Sequence, residues 1–111
     1  MDRIKRLLDI YKAYEDFMGS FSTVFEYRVL LHIGLNEFNE TPLTVKQLVL
    51  LNLGPKTSLE RVIRKMVKDG IVIRKESGND RRVHLLYLNQ ATKQRLFKLY
   101  DDLEMIVKAR A

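Results

Sequence analysis

The sequence predicts a mainly helical α+β fold in which two short helices precede a β-hairpin and further helices flank them. Two observations carry this prediction. A corner at Gly54 and Pro55 separates two helical patterns, and a β-rich stretch from Ile71 to Leu88 has a polar turn in its middle. Two helices around a tight corner, followed by a two-stranded hairpin, predict a winged helix-turn-helix.

The N-terminal part of the chain predicts two helices. One amphipathic helix covers residues 2 to 18, and its apolar side carries Ile4, Leu7, Leu8, Tyr11, Tyr14 and Met18. A second helix starts at Ser22 or Thr23 and runs to about Phe38, with Thr23 and Glu26 spaced as a capping box. Because this second helix is apolar nearly all round, we expect it to form the central core element.

Helix signals also bracket the corner. Thr44 and Gln47 have the spacing of a capping box, and the helix they begin should end between Asn52 and Gly54. Pro55 suits the first position of the next helix, and Gly70 suits its end. Between them, an apolar stripe is formed by Leu59, Val62, Ile63, Met66 and Val67.

The hairpin follows directly. Residues 71–73 are β-branched and predict one strand, residues 76–80 have turn chemistry, and residues 83–88 predict the return strand. Arg81 and Arg82 lie where the return strand begins. The hairpin therefore presents a basic tip beside a basic helix.

Positive charge is concentrated in this helix and hairpin. Residues 56–82 contain nine basic and four acidic side chains, whereas residues 1–55 contain six basic and seven acidic ones. Residues 56–82 therefore carry a net charge of +5, against +6 for the whole chain, and this clustering is typical of nucleic-acid binding. Two local alternatives concern single residues: Thr57 caps its helix with Glu60 at box spacing, and Glu60 pairs with Arg64.

The segment from Leu43 to Asn89 resembles the DNA-binding core of the MarR (multiple antibiotic resistance regulator) family. The matching pieces are LTVKQLVLL, KTSLERVIRKMVKDGIV and RKESGNDRRVHLLYLN. The wing pattern of that family, Asp-x-Arg before an apolar strand, is met by Asp80, Arg82, Leu86 and Leu88. The resemblance implies a sequence-specific regulator of transcription that binds double-stranded DNA.

In this hypothesis, the helix after Pro55 enters the major groove. Its N-terminal residues Thr57, Ser58 and Arg61 would contact base edges, and Lys56 and Lys65 would contact phosphates. Seven candidate DNA-binding residues result in total: Lys56, Thr57, Ser58, Arg61, Lys65, Arg81 and Arg82.

The wing supplies the last two of these residues. The resemblance implies that Arg82 reaches the adjacent minor groove, and Arg81 would lie beside it on the DNA backbone. Asp80, being acidic, is expected to hold an arginine of the wing rather than to contact DNA.

The C-terminal segment, residues 90–110, predicts a long helix with Asn89 as its cap. One of its apolar stripes contains Leu96, Leu99, Leu103 and Ile106, and another contains Phe97, Tyr100 and Val107. One stripe should cover the domain, and the other should meet a second subunit, because the family resembled here pairs through its terminal helices. We therefore expect a homodimer of single-domain chains (residues 1–111), each with N-terminal helices (1–40), helix-turn-helix and wing (43–89) and a dimerising helix (90–111).

Expectations about other partners and activities follow from the resemblance and from the composition. The resemblance implies a cleft for a small aromatic effector, which Tyr11, Tyr14, Phe17, Phe21, Phe25, Tyr27 and Phe38 would have to line if they did not simply pack in the core. No cysteine is present, and His32 and His84 are far apart in sequence, so we expect structural histidines, no metal site, no cofactor and no enzymatic activity. Without an apolar run of 18 residues or a signal-peptide pattern, the chain is expected in the cytoplasm of a bacterium or phage-infected cell, associated with the nucleoid.

Two alternatives use the same outline differently. A winged helix can serve as a protein-interaction module whose basic face meets an acidic partner. A plasmid or phage replication or partition factor would also bind DNA, but not as a promoter regulator.

Overall fold

The computed structural model describes residues 2–19, 23–78 and 80–109. Its elements in chain order are α1 (Asp2–Met18), α2 (Val24–Phe38), α3 (Val45–Leu50), α4 (Lys56–Lys68), β1 (Val72–Ser77), β2 (Asp80–Leu88) and α5 (Gln90–Lys108). This order confirms the predicted fold class, a mainly helical chain with one antiparallel hairpin. Ser20, Ser22, the aromatic Phe21 and the turn residue Asn79 lie outside the described residues.

Helix α2 is the centre of the core, as its apolar sequence predicts. Val29, Leu30 and Ile33 are completely buried. Thr23 caps the helix by accepting a hydrogen bond from the Glu26 amide at 3.1 Å. The carboxylate of Glu26 also accepts a hydrogen bond from Lys65 of α4.

The corner between α3 and α4 forms at the predicted place with different details. Thr44 and Gln47 make the predicted capping box, with hydrogen bonds of 3.1 and 2.9 Å. The helix ends at Leu50, earlier than predicted, and Asn52 rather than Gly54 has a positive φ, of 55°. Gly54 is required for another reason: a Cβ there would lie 2.8 Å from the Phe25 ring.

Helix α4 begins one residue later than predicted and ends as predicted. Pro55 is the N-cap rather than the first helical residue, and no side chain caps this end. At the other end, the amide of Gly70 donates to the carbonyl of Val67, and the amide of Ile71 donates to the carbonyl of Met66. These two bonds form a Schellman motif around Gly70, whose φ is +76°.

Replacing Gly70 by alanine tests this helix end. An L-residue in the left-handed region costs about 1–2 kcal/mol, so Gly70→Ala should lower the urea midpoint without changing the slope. Gly78→Ala is the matched control, because both glycines have open space around the missing Cβ but only Gly70 has a positive φ. Equal midpoints for the two variants would contradict the left-handed conformation of Gly70.

The hairpin is longer than the sequence predicts and is attached to α3. Val72 pairs with Leu88, and the register continues to Glu76 and His84 before an irregularity at Ser77. The amide of Leu86 donates to the carbonyl of Leu43 at 2.9 Å. The wing therefore starts from a fixed base beside the N-terminal end of α3.

Helices α1 and α5 pack against each other in opposite directions. Near one end, the Arg95 guanidinium donates to the carbonyl of Phe17 at 3.1 Å, and near the other, Arg6 donates to the carbonyl of Ala109. The described chain is elongated, with principal extents of 54 × 26 × 23 Å. No helix in the described part of the chain combines the length and apolar character needed to cross a lipid bilayer.

Candidate nucleic-acid interface

Helix α4 has one face in the core and an opposite face that points outward. The core face consists of four buried residues: Leu59, Val62, Ile63 and Met66. On the opposite side, four exposed side chains recur at intervals of four, three and four residues: Thr57, Arg61, Arg64 and Lys68. This face carries three cations and no carboxylate.

Ion pairing at the start of α4 differs from the two local alternatives that the sequence offers. Thr57 does not cap the helix. The ammonium of Lys56 lies 3.9 Å from the carboxylate of Glu60, so Glu60 pairs toward the helix N-terminus and not with Arg64. Among the described residues, no carboxylate forms an ion pair with Arg61, Arg64 or Lys68. Arg64, which the sequence paired with Glu60 and which was therefore not among the seven candidates, thus joins them.

Two other predicted residues lie on one flank of α4. Ser58 is half-buried and lines a surface pocket of about 480 Å³ with Arg61, Phe25 and Lys65. The Lys65 ammonium lies 3.1 Å from the Glu26 carboxylate of α2. Lys65 is therefore directed along the domain surface, toward α2, whereas Arg61 and Arg64 point away from the core.

The wing tip presents the two predicted arginines. Both Arg81 and Arg82 are exposed, and the Arg82 side chain is 93% accessible. Asp80 accepts a hydrogen bond from the Arg82 amide at 2.9 Å, and its carboxylate lies 3.4 Å from the Arg82 Nε. The expected contact between Asp80 and a wing arginine is therefore present.

A second group of basic residues lies between the wing and α3. Lys46, Arg74 and Arg82 line a pocket of about 330 Å³ together with Thr44 and His84. Sequence reasoning missed Lys46 and Arg74 and treated His84 as purely structural. Local sequence patterns do not indicate this group, because its members come together only in the tertiary structure. The hydrogen bond from the Leu86 amide to the Leu43 carbonyl brings α3 and β2 side by side.

Aromatic side chains contact one another at two separate places. Tyr27 meets Tyr14 and Phe17 edge-on, at ring-centroid distances of 5.2 and 5.4 Å. Burial raises the pKa of the Tyr27 hydroxyl, as expected for a ring held among other core groups. Phe38 and Phe97, 5.6 Å apart, instead border an open apolar groove between α2 and α5.

The family model that matches this chain covers the helix-turn-helix and most of the wing. A model described as MarR family matches residues 21–83. Among solved structures, the transcriptional regulator Tm0710 from Thermotoga maritima is 18% identical with a TM-score of 0.69, covering 95% of this chain and 69% of that chain. RV1404 from Mycobacterium tuberculosis is 16% identical with a TM-score of 0.70, at 95% and 69% coverage.

A mutant MarR from E. coli complexed with operator DNA is also similar, at 21% identity and a TM-score of 0.62, with 95% of this chain and 73% of that chain covered. At such identities, these structures establish the shared fold. No curated protein sequence matches the chain. Because the family match spans more than half of the chain and includes α2, the helix-turn-helix and most of the wing, the protein belongs to the MarR family of transcriptional regulators.

Proposed function

We propose that this regulator binds double-stranded DNA sequence-specifically as a homodimer, with α4 in the major groove and the wing in the adjacent minor groove. The observation that carries the proposal is the outward face of α4, where Arg61, Arg64 and Lys68 are exposed without a carboxylate partner among the described residues. Unpaired cations on a protruding helix face suit a polyanionic groove.

Different positions on α4 suit different parts of the duplex. In helix-turn-helix proteins, the N-terminal residues of the second helix contact base edges. Thr57, Ser58 and Arg61 occupy these positions, and an arginine can bind both acceptors of guanine at once. Lys56 and Arg64 suit contacts to phosphates, which fix the position of the helix without reading sequence.

The wing supplies the second contact. Asp80 restrains Arg82 at the exposed tip, so that less conformational entropy is lost when Arg82 enters a minor groove. Arg81 suits the neighbouring backbone. Lys46 and Arg74 extend this cationic surface toward α3, the helix that crosses the DNA backbone in such folds.

Exposed apolar residues on the terminal helices support the dimer. Helix α1 leaves four large apolar side chains exposed on one side: Ile4, Leu7, Leu8 and Tyr11. On α5, the stripe with Leu99 covers the domain, whereas Phe97, Tyr100 and Val107 remain exposed. An apolar surface of this kind marks an interface. Two chains joined there would present their α4 helices about 34 Å apart, one turn of DNA.

The groove beside Phe38 and Phe97 is the candidate site for a small aromatic effector. It has a volume of about 240 Å³, and its other walls include Leu31, Leu35 and Leu96. A similar structure is that of the heme sensor protein PefR from Streptococcus agalactiae in complex with heme. The regulator would act in the cytoplasm, where its DNA is.

Selection of binding sites from random duplexes, followed by native mass spectrometry, tests this function. An inverted repeat bound by two chains is the expected result. Weak binding without sequence preference would instead favour the protein-interaction alternative, and a single chain on an asymmetric site would contradict the dimer.

Arg61→Ala should weaken binding to the selected site by about 1–3 kcal/mol and relax the preference at one base position. The reason is that a bidentate contact to guanine has no substitute when the guanidinium is removed. Titration against a set of single-base variants measures both effects. Lys12→Ala, which removes an exposed cation from α1, is the control and should change neither.

A further inference from the structure

Glu26 is a charged side chain buried at the contact between α2 and α4. Only 5% of its surface is accessible, although it lies in the first turn of α2. Its Oε1 accepts a hydrogen bond from the Lys65 ammonium at 3.1 Å, across 39 residues of sequence. Lys65 remains about half exposed, with 49% of its side chain accessible.

Removing the cation from such a contact is costly. A buried carboxylate that loses a cationic partner retains its desolvation penalty without the compensating attraction. The converse loss is smaller here, because the ammonium of Lys65 can regain water at the surface. The ion pair therefore holds α4 at one position on α2 more strongly than an exposed pair would.

The same turn of α2 also contacts α1. Tyr27, the residue after Glu26, packs edge-on against Tyr14 and Phe17. The first turn of α2 thus contacts α4 through Glu26 and α1 through the next residue, Tyr27. Any shift of α4 on this turn would change the direction of its outward face relative to the terminal helices.

We propose that Lys65 is a positioning residue rather than a phosphate contact: its ion pair with Glu26 sets the angle at which α4 meets the major groove. This inference rests on the proposed DNA-binding function. It replaces the phosphate-binding role that the sequence suggested for Lys65, and it assigns that role on this part of the helix to Arg64.

Salt dependence separates the two roles. Each phosphate contact contributes a slope of about 0.9 to the logarithmic dependence of affinity on salt concentration. Lys65→Met should leave the slope unchanged, while affinity for the selected site falls roughly 2- to 30-fold and affinity for an unrelated duplex stays the same. Arg64→Met, the matched control on the same helix, should reduce the slope by about 0.9 per protomer.

A double-mutant cycle tests the ion pair itself. Lys65→Met should lower the melting temperature on the order of 5 °C, and Glu26→Gln should lower it less. In the Glu26→Gln/Lys65→Met variant, the melting temperature should recover relative to Lys65→Met, because a neutral amide needs no counter-charge, whereas specific affinity should stay reduced, because the ion pair that positions α4 is still absent.

Two outcomes overturn the inference. One is a reduced salt slope in Lys65→Met with no recovery of the melting temperature in the double variant, which would make Lys65 a phosphate contact. The other is a lower melting temperature with unchanged specific affinity, measured where the protein is folded, which would make the pair merely structural. Failure of the DNA-binding function is distinguishable, because wild-type protein would then select no site while the thermal cycle still reports on the pair.

Discussion

Replacing Ile4 and Leu7 together by glutamate is expected to convert the protein from a dimer into a monomer and to weaken its binding to an inverted repeat on the order of 100-fold. Both side chains are mostly exposed in the single chain, at 68% and 65%. The protomer should therefore keep its fold, whereas the interface would have to bury four carboxylates. A monomer loses the high effective concentration that a second bound half-site provides.

Leu50→Glu is the control for this prediction. Leu50 is equally exposed, at 70%, but lies on α3 rather than on the terminal helices. Light scattering or native mass spectrometry should report two chains for Leu50→Glu and one for the double variant. A double variant that stays dimeric, with unchanged circular dichroism, would exclude this face of α1 as the interface.

The proposed interface also illustrates what the sequence could predict. Spacing predicted two apolar stripes on α5, and the resemblance assigned one of them to a partner; Leu99 of the first stripe is buried, whereas Tyr100 of the second is exposed. The apolar side of α1 was recognised as well, since residues at helical spacing share a face whatever they contact. Which surface remains uncovered, however, depends on packing and had to come from the coordinates.

Local rules explain the other successes. The Thr44 capping box and the Gly70 helix end involve residues within a few positions of one another, so their spacing suffices to predict them. Asp80 and Arg82 are likewise neighbours. Such contacts are determined by the chain geometry of one turn and barely depend on the rest of the fold.

The ion pairs that the sequence did not predict at the site are those that local spacing does not determine. Glu60 has basic neighbours four residues away on both sides, and sequence spacing does not decide between Lys56 and Arg64. The ion pair of Lys65 with Glu26 joins two helices that no periodicity relates. Sequence therefore identified α4 as the basic helix, but it could not sort the cations of α4 into outward ones and one that faces α2.

The second large effect concerns the core side of the same helix. Ile63→Ala should reduce the free energy of unfolding by about 2–5 kcal/mol, because it leaves a cavity beside fully buried neighbours. Alanine is the better helix former by a few tenths of a kcal/mol, so any loss reflects packing and not helix propensity. Urea unfolding at one fixed protein concentration measures it, since the stability of a dimer depends on concentration.

A graded series distinguishes packing from DNA contact on α4. Ile63→Val should lose only about 0.5–1.5 kcal/mol of stability, and Lys68→Ala, on the exposed side, should stay within about 0.5 kcal/mol of the wild type. The effects of these two variants on the salt dependence of DNA affinity should be the reverse of their effects on stability. At a temperature where all variants are folded, Ile63→Val should keep the wild-type salt slope, and Lys68→Ala should reduce it. If Ile63→Ala proved as stable as the wild type, α4 could not be packed on the core through Ile63, and the outward face assigned to Arg61 and Arg64 would be wrong as well, because one face of a helix fixes the other.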